Sequence, residues 1–465
     1  MSSYSNRVAG AAFFDLDRTL LSGASGPSLS AALRASGIGG KQLPFESALY
    51  KVFNTVGETL PSMLLARQGA ALLKGHRQSD VRAAAATAVD ELMKLLQPFA
   101  KSIIQSHRDN GRSVVMATTT PRDFILPFAE ALGFDEVIGT RFAVDEHGAY
   151  NGELDGPFVW SAGKLAAVRT WSLANDVSLE ESFAYTDSIY DSPLLGAVGN
   201  PFVVNPDARL VVLAASRRWP AMNFDVSPGV AKVPVMGLEL QRLALAFTRP
   251  SLFPYARFDV SGVANIPKSG GAILVGNHRS YFDVAAVAIA VAQSGRTVRF
   301  LGKKEVFDAP IIGQIATAMG GIRVDRGTGS DEPLIAAAEA LSAGEMVAIM
   351  PQGTIPRGRE FYKRELVGKW GAIRLAETAR VPVIPIGLWG TENVWPRNSR
   401  LPNITNIARP PLVSVTVGSP IALAYGDVDG DIRRMMNAIM DLLPDESRIE
   451  REPTEEEIKK ASPAK

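Results

Sequence analysis

The sequence predicts an α/β protein built as two consecutive domains, and three observations carry that prediction. Short apolar runs at residues 8–14, 113–117, 182–185, 272–275, 347–350 and 383–388 alternate with longer segments of helical period. This is the rhythm of strand–helix units, in which chemistry gathers where strands end and helices begin. The 465 residues exceed what one hydrophobic core serves, so the runs divide into two sets. Pro220, Pro228 and Pro234 interrupt any long element around residues 217–237 and mark the connection between the sets.

Composition narrows the function. A formal net charge of +1 gives no global reason to expect nucleic acid as a partner. The chain has no cysteine, which excludes disulfides, cysteine-ligated metals and a thiol nucleophile, and suits a reducing compartment. The first residues lack the long apolar core and cleavage site of a signal peptide. No stretch reaches the roughly 18 apolar residues of a spanning helix. The expectation is a cytoplasmic protein whose membrane contact is peripheral.

The first domain, residues 1–225, opens with a strand that runs into Phe13-Phe14-Asp15-Leu16-Asp17-Arg18-Thr19. Two carboxylates one residue apart, on a chain leaving a strand, can divide labour. One attacks a phosphoryl phosphorus, and the other protonates the leaving oxygen and then activates water. Two carboxylates beside a phosphate demand a cation, and Asp187 with Asp191, after the run 182–185, can complete an all-oxygen Mg²⁺ site with Asp15. The hydroxyls of Thr118, Thr119 and Thr120 follow the run 113–117 and can donate to phosphate oxygens, while Lys164 balances charge. Between about residues 22 and 102 the strand rhythm stops, and Ala- and Leu-rich segments at 62–73 and 80–96 read as amphipathic helices of an inserted cap.

In this order, Asp15/Asp17/Thr19, Thr118, Lys164 and Asp187/Asp191 resemble the four motifs of the haloacid dehalogenase superfamily. Pro193-Leu194-Leu195 and Asn205-Pro206-Asp207 are similar to its phosphoserine-phosphatase-like branch. The resemblance covers roughly residues 8–225 and implies a Rossmann-like phosphatase domain with the cap inserted after the first strand. It implies Asp15 as nucleophile, Asp17 as acid/base, and Thr118 and Lys164 as phosphate ligands. Mg²⁺ would be held at Asp15, Asp17 and Asp187, with Asp191 in support.

Residues 226–249 form the connection, including an apolar segment at 238–247 that either packs on its own domain or lies on a membrane surface. The second domain, 250–444, carries Gly276-Asn277-His278-Arg279-Ser280-Tyr281-Phe282-Asp283 directly after an apolar run. If a helix begins between them, Asp283 can fold back and hold the His278 imidazole in one tautomer, leaving it to take a proton from a hydroxyl. That hydroxyl would attack a thioester directly, because the motif supplies no covalent nucleophile. Gly320-Gly321-Ile322-Arg323-Val324-Asp325-Arg326 ends a further element with two cations, and Pro351-Gln352-Gly353-Thr354 is a glycine loop suited to an anion. Residues 381–386 supply an apolar wall.

These four blocks resemble the glycerolipid acyltransferase family typified by 1-acyl-glycerol-3-phosphate acyltransferase, over about residues 250–430. The resemblance implies His278 as general base, Asp283 as its orienter, Arg326 as ligand of the acceptor phosphate, and Gly353 and Thr354 as phosphate-binding positions. The family's third block usually has Glu, and Arg two residues beyond its Gly, whereas Gln352 and Ile355 stand here. Arg357, Arg359 and Lys369 are the candidates to replace the lost cation. Residues 445–465 are charged and read as a frayed helix or disorder that chemistry does not need.

Together the resemblances imply a bifunctional enzyme of phospholipid synthesis on the cytoplasmic membrane surface. Its acyltransferase half would use acyl-CoA or an acyl carrier protein thioester and lysophosphatidic acid. Its phosphatase half would act on the product, the acceptor or a soluble ester such as phosphoserine. Two alternatives remain open: a front half kept as a regulatory scaffold, and a soluble phosphatase with an accessory lipid-binding domain. Oligomeric state is not legible.

Overall fold

The computed structural model describes residues 10–39, 69–226, 230, 232, 239–245, 248–308, 312–324, 332–449 and 451–463. The chain divides between Pro228 and Gly229 into two units, and the fold is α/β in both.

The first unit is organised by β1 (Ala11–Phe14), whose four residues are all buried. Alternation explains this. Ala12 and Phe14 enter one core and Ala11 and Phe13 enter the other, one on each face of the sheet. Fully burying each Phe ring contributes about 2–3 kcal/mol. The other strands are β2 (Ser113–Pro121), β3 (Glu136–Thr140), β4 (Phe142–Val144), β5 (Tyr150–Leu154), β6 (Phe183–Thr186), β7 (Asn200–Val204) and β8 (Ala221–Met222). The main sheet runs β3-β2-β1-β6-β7-β8, parallel throughout. Phe14 lies level with Met116 on β2 and Tyr185 on β6, so the loops after these three strands meet at one edge.

The insertion leaves and rejoins at one place: Ser22 N donates to Leu95 O at 2.8 Å and Gln97 N to Leu20 O at 2.8 Å. Described helices of the insertion span Gly26–Ala35, Gly69–Leu72, Gln78–Ala86 and Val89–Leu95. Part of the segment read as a helix over 62–73 lies outside the described residues. The helix Ala100–Asp109 places Ala100 and Ile104 in the core that also takes Ala12 and Phe14 from β1. The sequence reading did not anticipate the hairpin β4–β5. Its Phe142 and Tyr150 pack with Leu33, Leu73 and Val81 of the insertion, and the Tyr150 hydroxyl donates to buried Asp123 at 2.7 Å. Arg82 and Gln78 bind the same carboxylate, fastening cap to core.

The second unit repeats the logic around β10 (Ala272–Gly276), buried at all five positions. Its neighbours are β9 (Arg257–Ser261), β11 (Arg299–Lys303), β12 (Ile322–Val324), β13 (Met346–Ile349), β14 (Val383–Trp389) and β15 (Leu412–Val417), in the order β12-β11-β13-β10-β14-β15-β9. Ala272 and Leu274 face one core, Ile273 and Val275 the other. All pairings are parallel except β14 with β15.

Only part of the connection is described. Gln241 and Glu239 are buried there, with Gln241 bonded to Val298 O and Glu239 paired to Arg299. No described helix is long and apolar enough to cross a membrane. Of the two expectations for the tail, a frayed helix or disorder, the structure shows a helix, and a capped one. Glu455–Lys460 is a helix with a capping box between Thr454 and Glu457, and Ala461 is buried with Ile355 and Phe361. A cap supplies the orphan helix amides with partners, which charge composition alone does not register.

Candidate active sites

In the first unit the loop after β1 turns sharply, with Arg18 in the left-handed region at φ 62. The turn brings Thr19 beneath Asp187: its hydroxyl accepts from Asp187 N at 3.0 Å and lies 3.3 Å from Asp187 Oδ1. Lys164, 1% exposed, reaches from the helix Ala162–Ala174 to Asp15 Oδ1 at 2.9 Å and Asp191 Oδ2 at 2.6 Å. Asp191 Oδ2 also accepts from Thr186 at 2.7 Å, while its Oδ1 is buried without a hydrogen-bond partner. Arg18 Nε stands 3.3 Å from Asp187 Oδ2.

The Asp17 carboxylate is engaged elsewhere, by Ser25 N at 2.6 Å and the Thr120 hydroxyl at 3.4 Å. Burial pushes this carboxyl above the ordinary aspartate range, partly offset by the Ser25 amide. Thr118 is buried in the last half of β2 and accepts from Thr120 N at 3.1 Å. Six sequence-predicted positions, Asp15, Asp17, Thr118, Lys164, Asp187 and Asp191, therefore gather at the C-terminal edge of three adjacent strands.

The donor set suits magnesium. Three carboxylates, Asp15, Asp187 and Asp191, face two cations, Lys164 and Arg18, leaving an excess of negative charge and oxygen ligands, with the Asp17 carboxyl beside them on Ser25 and Thr120. Among the described residues no three His, Cys, Asp or Glu side chains form a cation cage. Mg²⁺ does not require one, since it usually takes one or two carboxylates and completes its shell with water and phosphate.

In the second unit, β10 ends at Gly276 and the helix Asp283–Ala292 begins with the aspartate itself. Asp283 is fully buried, and its Oδ2 lies 2.8 Å from His278 Nδ1. The same oxygen accepts from the amides of Arg279 at 2.7 Å and Ser280 at 2.9 Å, and Oδ1 accepts from Thr391 at 2.6 Å. Four donors around one carboxylate fix it in place. The imidazole is thereby oriented through Nδ1, and Nε2 makes no hydrogen bond among the described residues.

One residue of this site, Arg397, escaped the sequence reading, and another, Gln352, reads there only as a departure from the family's third block. Gln352 accepts from the His278 amide through Oε1 at 2.7 Å, so the neutral residue of the third block holds the first block in place. Arg397, 6% exposed, donates through Nη1 to Ile355 O at 2.6 Å, and its Nε is buried without a partner. A guanidinium from 42 residues away thus bonds to the main chain of residue 355, where the family's arginine is missing. The missing Arg at 355 was the one available signal. Arg357, Arg359 and Lys369 are exposed, and Arg359 pairs with Glu452. Gly353 turns the loop at φ 70, with Thr354 after it; Arg326 lies outside the described residues.

Comparison with known proteins gives a family match in each unit. A haloacid dehalogenase-like hydrolase family model matches residues 12–196, and an acyltransferase family model matches residues 257–389. An inhibition of morphological differentiation protein from Streptomyces azureus is 31% identical over 217 residues, 46% of this chain and 78% of that protein. A phosphoserine phosphatase of Mycobacterium tuberculosis is 30% identical over 233 residues, 49% of this chain and 75% of that protein. Among solved structures, the 1-acyl-sn-glycerophosphate acyltransferase of Thermotoga maritima is 22% identical with a TM-score of 0.32, covering 43% of this chain and 77% of that one. Through its first unit the chain belongs to the haloacid dehalogenase-like hydrolases, and behind that unit it carries a domain of the acyltransferase family.

Proposed function

We propose that the second unit transfers an acyl chain from acyl-CoA to 1-acyl-glycerol-3-phosphate, giving phosphatidic acid, and that the first unit hydrolyses the phosphomonoester of lysophosphatidic or phosphatidic acid. The observation that carries the first half is the His278–Asp283 pair, 2.8 Å apart, with Nε2 uncommitted among the described residues. His278 Nε2 takes the proton of the acceptor hydroxyl as its oxygen bonds to the thioester carbonyl carbon. The C–S bond then breaks, and the imidazolium returns the proton to the departing thiolate. Asp283 stabilises the transient imidazolium. Arg397, with Arg326, binds the acceptor phosphate through the unspent edge of its guanidinium.

In the first unit Asp15 attacks phosphorus, forming an aspartyl-phosphate as the ester P–O bond breaks, and Asp17 donates the proton to the leaving alkoxide. Its raised carboxyl suits an acid that must carry a proton. Asp17 then takes a proton from the water that cleaves the acyl phosphate. Thr118 and Lys164 hold the phosphate oxygens. Asp15, Asp17 and Asp187 would hold Mg²⁺, which would supply charge neutralisation for the phosphate.

The test is to supply lysophosphatidic acid with acyl-CoA, and separately phosphoserine, to wild type, His278→Ala and Asp15→Asn, with Mg²⁺. Acylation lost only in His278→Ala and lipid phosphate release lost only in Asp15→Asn support the reading. Phosphate released from phosphoserine and not from lipid transfers the first unit to a soluble substrate.

A further inference from the structure

Residues 396–411 contain three arginines, Arg397, Arg400 and Arg409, and no acidic residue. Within this stretch Leu401, Ile404 and Ile407 point outward, 73%, 56% and 59% exposed. Single exposed apolar side chains are ordinary; three on one loop are not. The loop is built to present them. Trp395 Nε1 donates to Ser399 O at 3.1 Å, the Ser399 hydroxyl to Leu401 O at 2.7 Å, and Asn403 N to Val394 O at 2.9 Å. Its root touches the His278 motif: the Ser280 hydroxyl donates to Trp395 O at 2.7 Å, and the Tyr281 and Trp395 rings lie 5.5 Å apart. Tyr281, on that motif, and Val284, directly after it, are exposed as well.

We infer that Leu401, Ile404 and Ile407 insert into an anionic phospholipid surface, seating the His278 site at the level where a lipid acceptor presents its head group. Charge selects this occupant. Apolar tips flanked by arginines complement lipid phosphates, whereas a second copy meeting the loop face to face would set arginine against arginine. The function of the surface rests on the lipid-acceptor reading, but its binding is measurable without turnover.

The experiment is co-sedimentation of the full chain with phosphatidylcholine vesicles, with and without phosphatidylglycerol, comparing wild type with Leu401→Ser/Ile404→Ser/Ile407→Ser. Wild type should bind the anionic vesicles, and the triple variant should bind them at least about tenfold more weakly. Both should acylate a short-chain, water-soluble lysophosphatidic acid equally. Should the triple variant unfold, Arg400→Gln/Arg409→Gln gives a second reading, with weakened binding and a shallower salt dependence expected. Equal sedimentation of variant and wild type overturns the inference, as does a wild type that ignores anionic vesicles, or loss of self-association with vesicle binding intact. Failure of both proteins to acylate the soluble acceptor counts against the acceptor reading alone, since the vesicle result stands independently of it.

Discussion

Asp283 Oδ2 meets His278 Nδ1 at 2.8 Å while Asp283 Oδ1 receives the Thr391 hydroxyl at 2.6 Å, so one buried carboxylate joins the imidazole to the loop after β14. Asp283→Asn should lower kcat by about 10²–10⁴, because an amide that donates to Nδ1 selects the wrong tautomer. Thr391→Val keeps the charge and removes one clamp, so its loss should be smaller, about tenfold. Steady-state acylation kinetics separate the two. Equal effects would show that Asp283 acts only through packing.

Arg397 and Ile355 form a second testable pair. Arg397→Gln should raise KM for lysophosphatidic acid by about 10–100-fold, the worth of a charge-assisted contact. Ile355→Arg in the same chain should recover much of it by restoring a guanidinium to the loop. A fall in kcat at unchanged KM, with no recovery, would make Arg397 a brace of the Ile355 carbonyl and nothing more.

Burial raises the Asp17 carboxyl above the ordinary 3.8, so ionisation favours the unfolded chain at neutral pH. The native-state advantage of the protonated form is present below pH 3.8 and is lost as pH rises through the folded value. Asp17→Asn should therefore raise the thermal midpoint at pH 7, with a gain that shrinks as pH falls towards 3.8, while abolishing phosphate release. Thermal melts against pH check it. A variant less stable than wild type at pH 7 contradicts it.

Deleting residues 451–465 should cost acyl transfer about tenfold or more and leave phosphate release unchanged. Gly358 N donates to Ala461 O and Asn398 N to Lys460 O, both at 3.3 Å, so the tail helix braces the loops that carry Gly358 and Asn398. Unchanged acylation in the truncated chain would return the tail to the dispensable role that its composition suggests.

The legible parts of this protein were local. The runs that became β1 and β10 are buried on both faces, which makes them continuous apolar strings, and the acids and histidine follow them within a few residues. What stayed hidden depends on distant partners. The hairpin β4–β5 is short and half polar, and it exists because Tyr150 finds Asp123 and the insertion. Arg397 reads as an ordinary loop cation until the fold sets it against Ile355. Gln352 looks like a lost carboxylate until its amide oxygen meets the His278 amide. The order of the tail helix is hidden too, because it rests on a capping box and one buried alanine rather than on charge.

The most direct measurement is a single-tube time course with lysophosphatidic acid labelled in its glycerol, acyl-CoA and Mg²⁺, resolving phosphatidic acid and diacylglycerol. Wild type should form phosphatidic acid first and diacylglycerol after it, Asp15→Asn should stop at phosphatidic acid, and His278→Ala should form neither. Label that never enters phosphatidic acid with wild type, or enters it equally with His278→Ala, contradicts acyl transfer at this histidine.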